Sequence, residues 1–194
     1  MRVAVLVSGG GSNLEAILQA KEAGELPGID VVLVISSRLD AFALQRAERH
    51  QVPTAVIERR AYESEETYQK ALLDALMQAH VDIVCLAGYL RKLGPDVIAK
   101  YRGRILNIHP ALLPKFGGPG MYGQHVHTAV LAAGEKESGC SVHVVDEEFD
   151  HGPILAQRRV PVRPGDTPET LAERVLVEEH KLYPKTLREF CEKL

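Results

Sequence analysis

Two polar side chains, Asn107 and His109, close the run Arg104-Ile105-Leu106-Asn107-Ile108-His109, and Pro110 and Pro114 bracket the exit from it. The run reads as a short, mostly apolar strand. Alternation along a strand puts positions i and i+2 on one face. An amide and an imidazole therefore point the same way at the carboxyl edge of a sheet, where open α/β folds bind ligands. The amide is a fixed donor for a developing oxyanion, and the imidazole carries a proton near neutral pH. A strand-capping amide beside a structural loop histidine is the other reading of the same pair. Carboxylates for such a site come from the loop Asp146-Glu147-Glu148-Phe149-Asp150-His151-Gly152-Pro153. Asp150 is the candidate partner of His109, because the Gly152-Pro153 turn returns the chain toward the sheet. The other three acids read as a solvated loop face, and His143, in mid-strand, as a hydrogen-bonded structural histidine. A carboxylate beside His109 favours its protonated form and orients the ring. With an amide, an imidazolium and a carboxylate but no activated serine or cysteine, the nucleophile belongs to a substrate. Acyl transfer to a substrate amine fits this set.

The elements that position these residues form a regular series. Arg2–Val7 is a continuous apolar run, as expected of a strand buried on both faces. Ser8-Gly9-Gly10-Gly11-Ser12-Asn13 breaks it, and a helical period follows, with Ser12 or Asn13 as its natural N-cap. Strand, glycine-rich turn and helix make a site in which free amides and the helix dipole hold an anion, most often phosphate. The turn is neither GxGxxG nor a P-loop, which favours one phosphomonoester over a dinucleotide; a tight βα turn with no ligand is the plainer alternative. Strands are expected over Asp30–Ile35, Pro53–Ile57, Val81–Ala87, Arg104–Ile108, Gly139–Val145 and Ile154–Val162, the last exposed or antiparallel. Helices are expected over Ala41–His50, Thr67–Ala79, Leu93–Tyr101 and Gln124–Ala133, with a polar connection over Arg59–Glu66. A long last helix starts at Thr167 and Pro168, runs to about Glu192 and is kinked by Pro184. His125 and His127 are two apart, the wrong spacing for a metal pair on one helical face. The alternation predicts a three-layer, doubly wound α/β fold with a mostly parallel sheet.

Composition narrows the function classes. The 194 residues carry a net charge of −3, which excludes the broad basic surface of a nucleic-acid binder. Cys85, Cys140 and Cys191 are odd in number and far apart, so they read as free thiols in a reducing compartment, not as a disulfide frame or a zinc site. No apolar stretch approaches the roughly 20 residues of a spanning helix, and no leader precedes the first strand. The expectation is a cytoplasmic protein, monomer or homodimer, with small-molecule substrates, no nucleic acid and no membrane. It is one domain over 1–194, with a phosphate-binding half over about 1–100 and a catalytic half over about 101–194.

Five segments resemble the folate-dependent glycinamide ribonucleotide formyltransferases: Val5–Leu14, Leu86–Arg91, Leu106–Pro114, Gly139–His143 and Phe149–Pro153, with Glu179-His180-Lys181-Leu182-Tyr183-Pro184 closing the match. Asn-Ile-His-Pro together with Asp-x-Gly-Pro marks folate formyl transfer, and Ser-Gly-x-Gly-Ser-Asn marks the ribonucleotide branch. The resemblance implies a Rossmann-like formyltransferase fold. It implies that Gly11, Ser12 and Asn13 hold the 5′-phosphate, with Pro110 and Glu179 against the rest of the ribonucleotide. Leu90, Arg91, Lys92 and Leu93, with Asn107 and the backbone from Asp146 to Asp150, would line the pterin pocket for the co-substrate 10-formyltetrahydrofolate. Asn107 and His109 would stabilise the oxyanion, and Asp150 would raise the pKa of His109 and relay the proton. No metal is implied. Two positions depart from the pattern: Glu65, with Arg59 and Arg60 nearby, stands where relatives often carry a basic residue for the folate tail, and Lys115–Gly123 is longer and richer in glycine than in some members. Methionyl-tRNA formyltransferase shares the Asn/His/Asp core but carries a basic second module, a poor fit to this charge. Formyltetrahydrofolate deformylase carries an extra N-terminal domain. A non-catalytic sugar-phosphate binder would have no need of Asn107, His109 and Asp150.

Overall fold

The computed structural model describes residues 1–194. Seven strands form one sheet in the order β3-β2-β1-β4-β5-β6-β7. Five of them, β1 (Arg2–Val7), β2 (Asp30–Ser36), β3 (Thr54–Val56), β4 (Ile83–Leu86) and β5 (Ile105–His109), run parallel. The last two, β6 (Glu137–Val144) and β7 (Ile154–Pro161), add on antiparallel at one edge. Strand alternation sorts the core into two layers. Val3, Val5 and Val7 face one layer with α1 (Ser12–Glu22), α2 (Phe42–Arg49), α5 (Gln124–Ala132) and α6 (Pro168–Cys191). Ala4 and Leu6 face the other, with α3 (Glu65–Gln78) and α4 (Pro95–Lys100). The strands buried on both sides are the apolar runs read from the sequence; β7, with every second side chain exposed, is the edge.

Local chemistry moves several boundaries. The cap of α1 is Gly11, not Ser12 or Asn13: its φ is 71°, no side chain caps the helix, and a Cβ there would lie 2.5 Å from that of Ala43. Close packing of the turn on α2 demands glycine, and the first amides of α1 are left unpaired within the helix. Helix α3 starts at Glu65 because Ser64 and Thr67 form a reciprocal capping box, so the expected polar connection shrinks to a 3-10 turn over Arg59–Ala61. Helix α4 is shorter than expected because Gly94 and Pro95 delay its start. Thr167 caps α6, which continues through Pro184 to Cys191. The buried Tyr183 hydroxyl lies 3.0 Å from the carbonyls of Leu86 and Leu106, tying α6 to the carboxyl end of β4 and to the start of β5.

Candidate active site

A cavity of about 650 Å³ lies over the carboxyl edge of β1, β4 and β5. Every candidate residue lines it: Gly11, Ser12 and Asn13; Leu90, Arg91, Lys92 and Leu93; Asn107, His109 and Pro110; Asp146 and Asp150; and Glu179. The cavity thus draws on both halves of the chain, with Leu90–Leu93 from the first and Glu179 from the second meeting across the strand ends.

At one end, the glycine turn is held from behind. Arg46 Nε donates to the Gly10 carbonyl at 2.8 Å, Ala43 N–H donates to Gly9 O at 3.1 Å, and Arg46 also pairs with Glu15. This backing leaves the uncapped amides of α1 facing the cavity. Asn13 Nδ2 donates to Glu179 Oε2 at 2.6 Å. Glu179 is 7% exposed, and burial pushes its carboxyl above the ordinary range although the Asn13 bond pulls it down.

At the other end, Leu86, Leu93, Ile98 and Val145 supply apolar walls between the Gly88–Lys92 and Asp146–Phe149 backbones. Ser8 Oγ accepts the Leu90 N–H at 2.9 Å, and Gln69 bonds both Lys92 O and Gly94 N–H, fixing the first of these segments. Lys92 Nζ sits 5.3 Å from the centre of the Phe149 ring. Glu65 is taken up by Arg59 and Gln69, so the cavity's own cations are Arg91 and Lys92.

Between the two ends stands the polar cluster. His109, 3% exposed, places Nε2 2.8 Å from the Phe116 carbonyl, which accepts its N–H, and Nδ1 3.5 Å from Asp150 Oδ2. Asp150 Oδ2 also accepts the Gly118 N–H at 3.0 Å. Asp146 is engaged elsewhere, with His151 and the Glu148 amide, which leaves Asp150 as the carboxylate against His109. Asp150 acts on His109 in the expected direction, and burial adds an opposing effect. Asp150 and the Phe116 carbonyl do favour the imidazolium, but burial outweighs them, and the ring titrates below its ordinary value. Asp150 stays below the usual carboxylate range: burial pushes it up, and His143, His109 and the Gly118 amide together pull it further down.

His143 is a buried, hydrogen-bonded strand histidine, as expected, and its partner is Asn107 of this cluster. The β5–β6 register sets it directly opposite Asn107. Its Nδ1–H points to Val144 O at 3.1 Å, so Nε2 accepts from Asn107 Nδ2, also at 3.1 Å, and lies 3.4 Å from Asp150 Oδ1. Asn107 Nδ2 is 3.4 Å from the same carboxylate oxygen. Two residue pairs along the register, opposite His109, Ser141 Oγ donates to Ala111 O at 2.6 Å and accepts from Leu113 N–H and Gln157, pinning the loop that leaves the strand. Local pattern gave no signal for these contacts; only the pairing of β5 with β6 creates them. Phe116 and Gly118 come from the Gly-rich loop, which therefore closes on His109 and Asp150. His125 and His127 diverge, the first exposed and the second buried against the cavity.

The chain matches the formyl transferase family over residues 1–187. It is 45% identical over 187 residues to the trifunctional purine biosynthetic protein adenosine-3 of Drosophila melanogaster, covering 96% of this chain but spanning only 14% of that protein. It is 40% identical over 192 residues to the phosphoribosylglycinamide formyltransferase of Escherichia coli K12, covering 99% of this chain and 88% of that one. Its fold superposes on the crystal structure of glycinamide ribonucleotide transformylase 1 from Symbiobacterium toebii with a TM-score of 0.94 at 43% identity, covering 100% of this chain and 88% of the other. The glycine turn, the cluster at the strand ends and this likeness along nearly the whole chain agree: the chain belongs to the formyl transferase family, in its phosphoribosylglycinamide formyltransferase branch.

Proposed function

We propose that the protein transfers the formyl group of 10-formyltetrahydrofolate to the amine of glycinamide ribonucleotide, a step of de novo purine biosynthesis. The observation that carries this reading is the convergence of Asn107, His109 and Asp150 between an anion-holding turn and an apolar slot. No nucleophile of the protein's own stands there: Ser12 is the cavity's only serine, it has no hydrogen-bonded base, and no cysteine lines the cavity. The slot fits a flat heteroaromatic ring, with apolar walls for its faces and backbone groups for its polar edge. Arg91 and Lys92 suit the carboxylates of a folate tail. The folate supplies the formyl carbon, and the chain supplies position, charge and protons.

Each residue has a task in that scheme. The α1 amides and Asn13 hold the 5′-phosphate, and Glu179 with Pro110 sets the amine toward the cluster. Asn107 keeps its shorter bond to His143, while its 3.4 Å approach to Asp150 exceeds a normal hydrogen bond. That second N–H is the one free to turn to the formyl oxygen as negative charge develops. His109, protonated beside Asp150, turns its Nε2–H from the Phe116 carbonyl to the same oxygen. As the new C–N bond forms, Asp150 takes the proton released by the amine. His109 delivers a proton to the departing folate nitrogen as the old C–N bond breaks, and proton transfer between His109 and Asp150 resets the site.

A spectroscopic turnover assay tests the assignment: purified protein is mixed with a 10-formyl folate, with and without glycinamide ribonucleotide. Deformylated folate should appear only with the ribonucleotide. Equal release without it would make the protein a hydrolase, and no release under either condition would leave only a binder.

A further inference from the structure

Only four buried side-chain polar atoms lack a hydrogen-bond partner, and two of them, Asn13 Oδ1 and His127 Nδ1, belong to residues lining the active-site cavity. Such orphans are rare in folded proteins because a buried polar atom without a partner costs stability. His127 is 4% exposed and makes no side-chain hydrogen bond with either ring nitrogen. On α5 its neighbours Val126 and Val130 pack in the core layer of α1 and α6, which carry the glycine turn's helix and Glu179, and not in that of α3 and α4.

The charges of the cavity sharpen the point. On the ribonucleotide side α6 brings Glu169, Glu173 and Glu179, all negative when ionised, while the cations Arg91 and Lys92 stand on the folate side. Arg46 is behind the glycine turn, occupied by Gly10 and Glu15. A phosphate dianion at the α1 amides meets unfavourable charge unless a side chain on that side offsets it, and His127 is the group there that can take up a proton. Resting on the function proposed above, we infer that His127 is part of the phosphate subsite and donates a charge-assisted hydrogen bond to the 5′-phosphate of the ribonucleotide. Burial and the nearby His109 keep the free ring neutral, so the imidazolium forms with the ligand.

Calorimetry on the full chain tests this with three probes: glycinamide ribonucleotide, its dephosphorylated riboside and a non-hydrolysable folate analogue. His127→Leu should weaken ribonucleotide binding by about 10- to 100-fold, the range of a hydrogen bond to a charged group. Riboside and folate affinities should stay within about twofold, since neither probe carries the phosphate. His127→Asn, which keeps a polar atom near the Nδ1 position, should recover part of the loss. Equal weakening toward ribonucleotide and riboside, or no weakening toward either, would overturn the phosphate role. Failure of the unmodified protein to bind the ribonucleotide at all would instead overturn the function assignment.

Discussion

Asp150→Asn removes both the charge that acts on His109 and the base proposed for the amine's proton, and a titration of His109 reads the first by itself. The substitution is nearly isosteric, and Asn accepts the left-handed backbone at this position, where φ is 54°. Its carbonyl oxygen can still accept the Gly118 N–H now held at 3.0 Å, so the loop keeps its anchor. What disappears is a negative charge 3.5 Å from His109 Nδ1. At that separation, with an effective dielectric of about 20, two unit charges attract by roughly 5 kcal/mol, an upper limit before solvation is subtracted. Opposite charges this close move a pKa by about 1–3 units in practice. The direction is fixed: burial already holds His109 below its ordinary value while Asp150 opposes that fall, so removing Asp150 lowers it further. The imidazolium is populated only below the pKa, so the variant loses it first at neutral pH. Turnover at pH 7.5 should drop by about 10²–10³-fold, within the range for lost acid–base catalysis. The part of the loss that comes from His109 should recover as the pH falls, while the part that comes from the missing base should not. The assay is an NMR titration of the His109 ring beside a pH–rate profile. A His109 midpoint that stays in place or moves up would refute the reasoning, whatever the rate does.

Two further perturbations probe the scaffold. A Cβ on Gly152 would lie 1.9 Å from the Val144 carbonyl oxygen; Gly152→Ala must push β6 from the loop carrying Asp150. It should cost about 1–3 kcal/mol, as overpacking does, and lower turnover more than it lowers ribonucleotide affinity; denaturant unfolding and kinetics with an unchanged midpoint would contradict it. Glu179 titrates above its ordinary value because it is buried. An acid whose folded pKa is raised loses stability as pH rises above its unfolded pKa, near 4.3. Glu179→Gln should therefore be more stable than the parent at pH 7, with the gap closing by pH 4, while binding the ribonucleotide less tightly; unfolding curves at the two pH values decide it.

The layer structure was legible because it rests on period. Val3, Val5 and Val7 against Ala4 and Leu6, or Leu72 and Leu76 on one face of α3, are burial patterns a linear sequence displays. Asn107 and His109 were legible for the same reason, two positions apart on a strand end. Boundaries were less so where one glycine decided them. Ser12 and Asn13 have the chemistry of helix caps, but the approach of Ala43 to Gly11, a contact from the next helix, overrode local preference.

What escaped the sequence was set across strands and by burial. His143 looked structural because nothing local said that β6 pairs antiparallel with β5, in the register that puts it on Asn107. The expectation for His109 named the partner and its effect but not the burial that outweighs it. Asp150 is where the turn at Gly152 and Pro153 suggested, but a charge pair is read from residue types, whereas desolvation depends on how completely the fold excludes water. The same fold that buries His109 also brings two acceptors, Phe116 O and Asp150, to its two nitrogens. Burial disfavours the imidazolium while the acceptors require it. On the proposed scheme that conflict falls on the one ring that both gives and receives a proton in each turnover.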